Sequence, residues 1–530
     1  MGNSKSKYGI GNYQILKSIK SEWKFAFLST IVVGILTHIY KFTGILLNGD
    51  GFVNRYADQN IIASGRWFLS IACGFSSYFD LPWVNGLFAV FFVAVTSAVV
   101  VEILDIKNKI VIILTGALLV TFPSFTEISF FEFTADGFML AMLLASLSVL
   151  MVKFTLVKKY TKRKRLFLFL LSSIFVCFSC GIYQAYISFS LVLAIAMFML
   201  ILLDFQTKLD KQTIRTIFLY FCFFLIGIIL YYLIWKMCMF VQGVSPTDYR
   251  GIDQVSATNV NFPLSLKNIV KSYVVFFLEG NVIKQGFSLY GILNIIFIIF
   301  FVVVNVISIV RSKIYKEKIK ILFYLIFFFS LPLTITPLII IAPELTYAIR
   351  MMHSVALLWI LFLCLCNRYI RDIAANLLAG MVSIAVMNFA IIANIGYFYL
   401  DLSMKASLAD AMEIKHRITE LSENSDFQVA IIGLRSNVSF DTANSEARKV
   451  ANFTKGLDKT IVYNAYHTHD IIEYFLNYDL ELCESPEQLE IIKNSKDFKS
   501  MNCYPYKNSI KKIGDIVVVK FSDDYDITEF

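Results

Sequence analysis

Residues 25–69, FAFLSTIVVGILTHIYKFTGILLNGDGFVNRYADQNIIASGRWFL, decide how the whole chain is read. The first half is an apolar run long enough to cross a bilayer core, which takes about 20 helical residues. The second half crowds Asp50, Arg55, Asp58, Arg66 and Trp67 directly behind it. Five lysines precede the run, as in the n-region of a signal peptide. The run is nevertheless long for an h-region, and no small-residue cleavage site follows, so it reads as a retained first helix.

The rest of the 530-residue chain agrees, with 57% hydrophobic residues, 15% aromatic residues and a mean hydropathy of +0.67. These values fall outside the range of ordinary soluble domains and define a polytopic helical membrane protein. Apolar runs at about 25–43, 82–103, 110–122, 136–152, 166–179, 183–203, 216–240, 287–310, 321–341, 351–366 and 374–399 predict about eleven helices. Residues 1–400 form that membrane part, and residues 401–530 form a separate domain.

The formal net charge of +9 is unevenly spread. Residues 1–400 carry 33 Lys+Arg against 17 Asp+Glu, whereas residues 401–530 carry 15 against 22. The basic excess therefore belongs to the membrane part and the tail is acidic, which excludes nucleic acid as a partner. Within the membrane part the connections DIKNK, KFTLVKKYTKRKR, DFQTKLDKQTIR, RSKIYKEKIK and NRYIRD are basic, and those between them are acidic or nearly neutral. The positive-inside rule puts the basic set and the amino terminus in the cytoplasm. One crossing then places residues 44–66 outside, together with PSFTEISFFEFTAD, the 243–286 connection, APELTYAIR and the tail.

That outer face gathers Asp50, Asp58, Asp80, Glu127, Glu132, Asp136, Asp248, Asp253, Glu279 and Glu344, with Arg55, Arg66 and Arg350 among them. Charges at the ends of apolar helices are costly unless they face a cavity, so they mark a candidate functional site. Residues 64–80 are too short to span and read as an interfacial helix, with Trp67 and Trp83 at headgroup depth; a re-entrant segment is the alternative. The tail reads as a small α/β domain: FQVAIIGL, KTIVYNAY and DIVVVKF as strands, DIIEYFLNYDL and SPEQLEIIKN as helices. VAIIGLRSN opens like a dinucleotide fold but has no GxGxxG, so a nucleotide is not expected. HTHD at His467–Asp470 reads as a solvated loop, with a metal site as the alternative. Acceptor contact or bracing of the outer loops is the expected role of the tail.

An amphiphilic isoprenoid-phosphate sugar would need a carboxylate to take a proton, a cation near the leaving phosphate and a groove for lipid. Asp50, between two glycines just past the first helix, is the candidate base; a turn aspartate in NGDG is the plain alternative. Arg66 and Arg350 are candidate phosphate partners, because a guanidinium fork matches phosphate oxygens; binding a lipid headgroup is the alternative for each. Glu127, Glu132, Asp136 and Glu344 are candidates to orient sugar hydroxyls. His353 is a candidate second proton-transfer group or a packing residue, and Tyr183 and Gln184 are candidate pocket residues by position. Arg55 and Asp58 read as scaffold around Asp50. Of nine cysteines, six lie in or beside apolar runs and read as small apolar residues; Cys483 and Cys503 in the tail are left open as a pair. No cofactor is assigned, and a divalent cation is left as an alternative.

Four features carry a family resemblance: LLNGDGF after the first helix, SGRWFLS shortly after it, Pro82 opening the second, and FPSFTEISFFEFTADGFMLAMLLA entering the fourth. Over roughly residues 25–370 the chain resembles the bacterial GtrII-type membrane glucosyltransferases of the GT-C class. The resemblance implies transfer of glucose from an undecaprenyl-phosphate donor to a surface glycan, outside the cytoplasmic membrane. It also implies a catalytic carboxylate in the first outer loop, matching Asp50. The paired acidic motif often found there is missing, since Gly51 follows Asp50 and the next carboxylate is Asp58. A transporter or flippase for lipid-linked sugars is the chief rival, but internal repeats and ionisable residues near helix centres are not evident. A scaffold whose tail recruits glycan machinery is the second rival.

Overall fold

The computed structural model describes residues 19–157, 160–204, 211–247, 261–279, 289–343, 345, 347–421, 427–435 and 464–523. Ten of its helices are long and apolar enough to cross a membrane, and a bent pair, Lys109–Thr121 and Pro123–Ser129, makes up to eleven. The eleven apolar runs of the sequence all fall on these segments. The bend follows from Pro123, which lacks an N–H to continue the preceding helix and instead starts the next.

The bundle core forms where small residues let backbones approach. A Cβ on Gly86 would lie 2.2 Å from the Phe42 ring, and one on Gly34 would lie 2.8 Å from Val90, so both glycines admit a neighbour's side chain. The helices Gln184–Leu203 and Ile349–Tyr369 are the most enclosed, with Trp359 stacked on Phe297 at 3.9 Å. Outward faces are studded with exposed side chains such as Leu36, Phe240 and Phe329, as a lipid-facing surface requires.

All the basic connections meet at one end. There Lys20 pairs with Glu102, Lys107 with Glu22 and Asp105, and Arg368 donates to the Leu104 carbonyl. The connections carrying the candidate site residues meet at the other end, where Ser124 Oγ donates to the Ile349 carbonyl and Gln184 Nε2 to that of Ser64.

Residues 64–80 do not form the single interfacial helix expected. Leu69–Cys73 and Gly74–Ser76 are short helical turns, broken because Gly65, Ser77 and Tyr78 all have positive φ. Trp67 is half-buried, its indole seated on Gly181 and against Phe68 and Phe178, whereas Trp83 is 61% exposed.

The last membrane helix runs without a break from Asp372 to Leu421, about 75 Å at 1.5 Å per residue. Its first half buries Val382, Ala385 and Phe389 in the bundle, and its second half buries Ala411, Ile414 and Ile418 in the tail. The tail sheet has the order β1–β3–β2, with β1 (Gln428–Ile432) parallel to β3 (Ile516–Lys520) and β2 (Ile510–Ile513) antiparallel to it. Alternation sends Val429, Ile431, Val517 and Val519 toward the helices Asp372–Leu421 and Ala465–Leu476, and Ala430, Ile432 and Val518 toward Ile492, Phe498 and Met501.

Strand β2 was not anticipated, because its Lys511 and Lys512 interrupt the apolar pattern. Of the predicted strand KTIVYNAY, residues 459–463 lie outside the described residues; Asn464 caps the helix Ala465–Leu476 and Ala465 begins it. His467–Asp470 are therefore helical, not a loop. Cys483 and Cys503 are both free.

Candidate functional site

The loop behind the first helix is fixed from both ends. Asn48 caps the short helix Gly49–Val53, its Oδ1 accepting from Gly51 N at 2.8 Å. This places Asp50 in the first helical turn with its side chain exposed. The flanking Leu47 and Phe52 are buried in the tail's core, not the bundle's. Phe52 meets the Phe475 ring at 5.5 Å, and the Arg55 guanidinium lies 4.9 Å from Phe475 and 5.4 Å from Tyr474. A Cβ on Gly49 would lie 3.4 Å from His467 Nε2, so the tail helix Ala465–Leu476 passes directly over the Asp50 turn.

Beneath this turn, helix packing joins Arg55, Asp80 and Glu132 to Lys41 and Asn85, two residues that the sequence did not single out. Lys41 is 1% exposed and forms a buried ion pair with Glu132. Asn85 Nδ2 donates to the Glu132 carbonyl at 3.3 Å, and Asp80 N donates to the Arg55 carbonyl at 3.0 Å, which draws both residues into the group. Burial, then the Glu132 carboxylate, push Asp80 up to about 8 against the pull of Lys41 and Arg55. Both Asp80 carboxylate oxygens, Glu132 Oε1, Asn85 Oδ1 and Arg55 Nη1 are buried without a hydrogen-bond partner among the described residues.

Arg66 lies 5.1 Å from the Tyr183 ring and 5.8 Å from Phe138, and those two rings stack at 4.2 Å. Gly65 allows this approach: its φ is +81°, and a Cβ there would lie 2.4 Å from the Tyr231 hydroxyl and 2.6 Å from Gln184 Nε2. Gln184 thus ties the SGRW turn to two helices, donating to Ser64 O at 2.7 Å and to Tyr231 at 3.0 Å.

Arg350 and Glu127 form an ion pair at 2.7 Å, with Glu127 fully buried and also accepting from the Arg350 backbone N–H. The Arg350 guanidinium rests on the Phe131 ring at 4.5 Å. Asp136, one turn below Glu132, is buried and accepts from Gly137 N at 2.8 Å. His353 is buried, with Nε2 2.9 Å from the Leu119 carbonyl and Nδ1 3.5 Å from the Tyr186 hydroxyl. Asp58 is exposed and its Oδ1 accepts from Asn60 N at 3.0 Å, an Asx turn. Glu344, Asp248 and Asp253 lie outside the described residues.

The expected residues therefore fall at one end of the bundle but in separate sets: Asp50 beneath the tail, Arg66 with Tyr183 and Gln184, Arg350 with Glu127. Lys41, Asp80 and Asn85 were missed as members of one site. Each sits singly in apolar sequence, and only the helix packing joins positions 41, 80, 85 and 132. In the tail, His469, Asp470 and Glu473 place their ligand atoms within 4.8 Å of one another. The hydrogen bond that His469 Nδ1–H donates to Asp470, with Glu473 nearby, raises His469 above the ordinary histidine range.

An apolar helical bundle, charged at both ends and covered at one of them by a small α/β domain that packs on the first loop, defines a membrane protein. Residues 40–366 match the family described as Glucosyl transferase GtrII, and the chain belongs to that family. Its members' activity is glucosyl transfer, which requires a sugar donor and an acceptor. No curated protein and no solved structure matches the chain.

Proposed function

We propose that the protein transfers glucose from undecaprenyl phosphate to a surface glycan, such as a cell-wall polysaccharide or O-antigen, outside the cytoplasmic membrane. The carrying observation is the display of Asp50: an exposed carboxylate on a capped turn, at the mouth of an otherwise apolar bundle, beneath a domain of different composition. A lipid-linked donor enters sideways from the bilayer and a hydrophilic acceptor enters from the tail side, so this mouth is where the two would meet.

In a single inverting displacement, the acceptor hydroxyl oxygen bonds to the anomeric carbon as that carbon's bond to the phosphate oxygen breaks. Asp50 takes the hydroxyl proton, and the phosphate leaves with its charge on the lipid. Arg66, held against the Tyr183 ring, is a candidate to compensate that charge, and Arg350, paired with Glu127, is the other. Tyr183 and Gln184 hold the Arg66 turn in place. No step requires a metal ion, and a divalent cation stays an alternative for the phosphate.

Purified protein with synthetic undecaprenyl-phosphoglucose and cell-wall polysaccharide tests this reading. Transfer by the wild type and loss of about a hundredfold or more in Asp50→Asn, with intact folding, is expected. Equal transfer by both proteins removes Asp50 as the base. Movement of the lipid across a bilayer without transfer would favour a flippase.

A further inference from the structure

We infer that Arg55, Asp80, Asn85 and Glu132 form a subsite for the hydroxyl groups of a pyranose ring, with Lys41 as the fixed counter-charge beneath it. The inference rests on the reading that the chain handles a glycosyl unit at this end of the bundle, but not on Asp50 as base. Asn85 and Glu132 are 1% and 4% exposed, yet Asn85 Oδ1 and Glu132 Oε1 meet no partner among the described residues. Both Asp80 oxygens and Arg55 Nη1 are in the same condition. Leaving one buried polar group unmade costs about 1–3 kcal/mol, so a protein that gathers five such atoms at one place is built to have them met by something else.

The chemistry of that something follows from the charges. Glu132 neutralises Lys41, and Asp80 keeps its proton up to about pH 8, so two cations face one carboxylate and one neutral acid. A divalent cation would sit against an ammonium and a guanidinium, and an anion against the Glu132 carboxylate. What is open is three acceptor atoms, the Asp80 O–H and an Arg55 N–H. A neutral ligand rich in O–H donors that also accepts satisfies both, and a sugar ring carries several hydroxyls in fixed relative positions. The location agrees, since Arg55 closes the turn that carries Asp50 and its carbonyl holds Asp80 N.

The test is equilibrium binding in nanodiscs of farnesyl-phosphoglucose, its monodeoxy analogues and farnesyl phosphate without sugar, to the wild type, Asp80→Asn, Asn85→Leu and Asp50→Asn. In the wild type the sugar-bearing lipid should bind more tightly than farnesyl phosphate, and removing one particular hydroxyl should weaken it about tenfold. Asp80→Asn and Asn85→Leu should erase that preference while leaving the affinity for farnesyl phosphate unchanged, and Asp50→Asn should keep it. If the hydroxyls come instead from the acceptor, the same two substitutions should raise the acceptor KM and cancel its sensitivity to deoxygenation. Retained discrimination in both variants, for donor and acceptor alike, would mean that the group holds only water and would overturn the inference. So would tight Mn²⁺ binding that Asp80→Asn abolishes. Asn85 lies outside the ion pair, so its variant carries the test if Asp80→Asn fails to fold. Loss of transfer in Asp50→Asn with sugar binding intact would separate this subsite from the assignment of the base.

Discussion

Asp80 and the pair of Lys41 and Glu132 are where single residues of this protein are most exposed to test. Burial raises Asp80 to about 8, so the folded state holds its proton more tightly than the unfolded chain does. The folded state therefore binds more protons between about pH 4 and pH 8, and stability falls as pH rises through that window. Asp80→Asn removes the titration. Thermal unfolding in detergent should show the variant matching the wild type near pH 4 and exceeding it at pH 8 to 9; a wild-type curve parallel to that of the variant would refute the buried charge. Lys41→Met leaves the Glu132 carboxylate buried and uncompensated, which should cost about 3–5 kcal/mol. Adding Glu132→Leu should recover most of that loss, and a double variant no more stable than the single would show that the pair is not the cause. Neither residue could be weighted from sequence. A lysine at the end of an apolar run reads as snorkelling, and only the packing of the first and fourth helical runs on the second brings Lys41 to Glu132. Asp50, by contrast, was legible because its glycines and its place after the helix are local facts.

Among the elements, the tail helix Ala465–Leu476 has the largest consequence for the site. It supplies Phe475 to the Phe52 ring and the face on which Arg55 lies, so it fixes the turn holding Asp50 without touching the bundle core. Phe475→Ala should leave the bundle folded while loosening that turn. The expected result is a fall of about ten- to a hundredfold in kcat with little change in donor KM, because a misplaced catalytic group costs rate more than binding. Phe475→Leu should restore much of it; equal loss in both variants would point to general unfolding of the tail. The membrane helices were legible element by element, since runs of about 20 apolar residues have few other uses. The tail was legible only where its pattern was clean. β1 and β3 are continuous apolar strands, but β2 is a lysine-bearing edge strand whose partner is set by the hairpin, and His467–Asp470 look like a loop until Asn464 caps them into a helix.

At the scale of the whole molecule, one continuous helix from Asp372 to Leu421 joins the two cores and fixes which end of the bundle the tail covers. The charge pattern sorts the connections into two faces, and the structure brings the same connections together at two ends, by contacts that charge alone does not specify. What the pattern adds is the direction we propose: basic connections inside, and with that Asp50, the Asp80 group and the tail outside. Single cysteines make this measurable, because Asp58→Cys and Lys507→Cys lie at the tail-bearing end and Lys313→Cys lies at the other. In a background without accessible native cysteines, a membrane-impermeant maleimide should label the first two in intact cells and the third only after the cells are opened. The converse pattern would turn the molecule over and place the sugar site in the cytoplasm. Labelling of Asp58→Cys and Lys507→Cys from opposite sides would instead break the tail-to-loop contact on which the positioning of Asp50 depends.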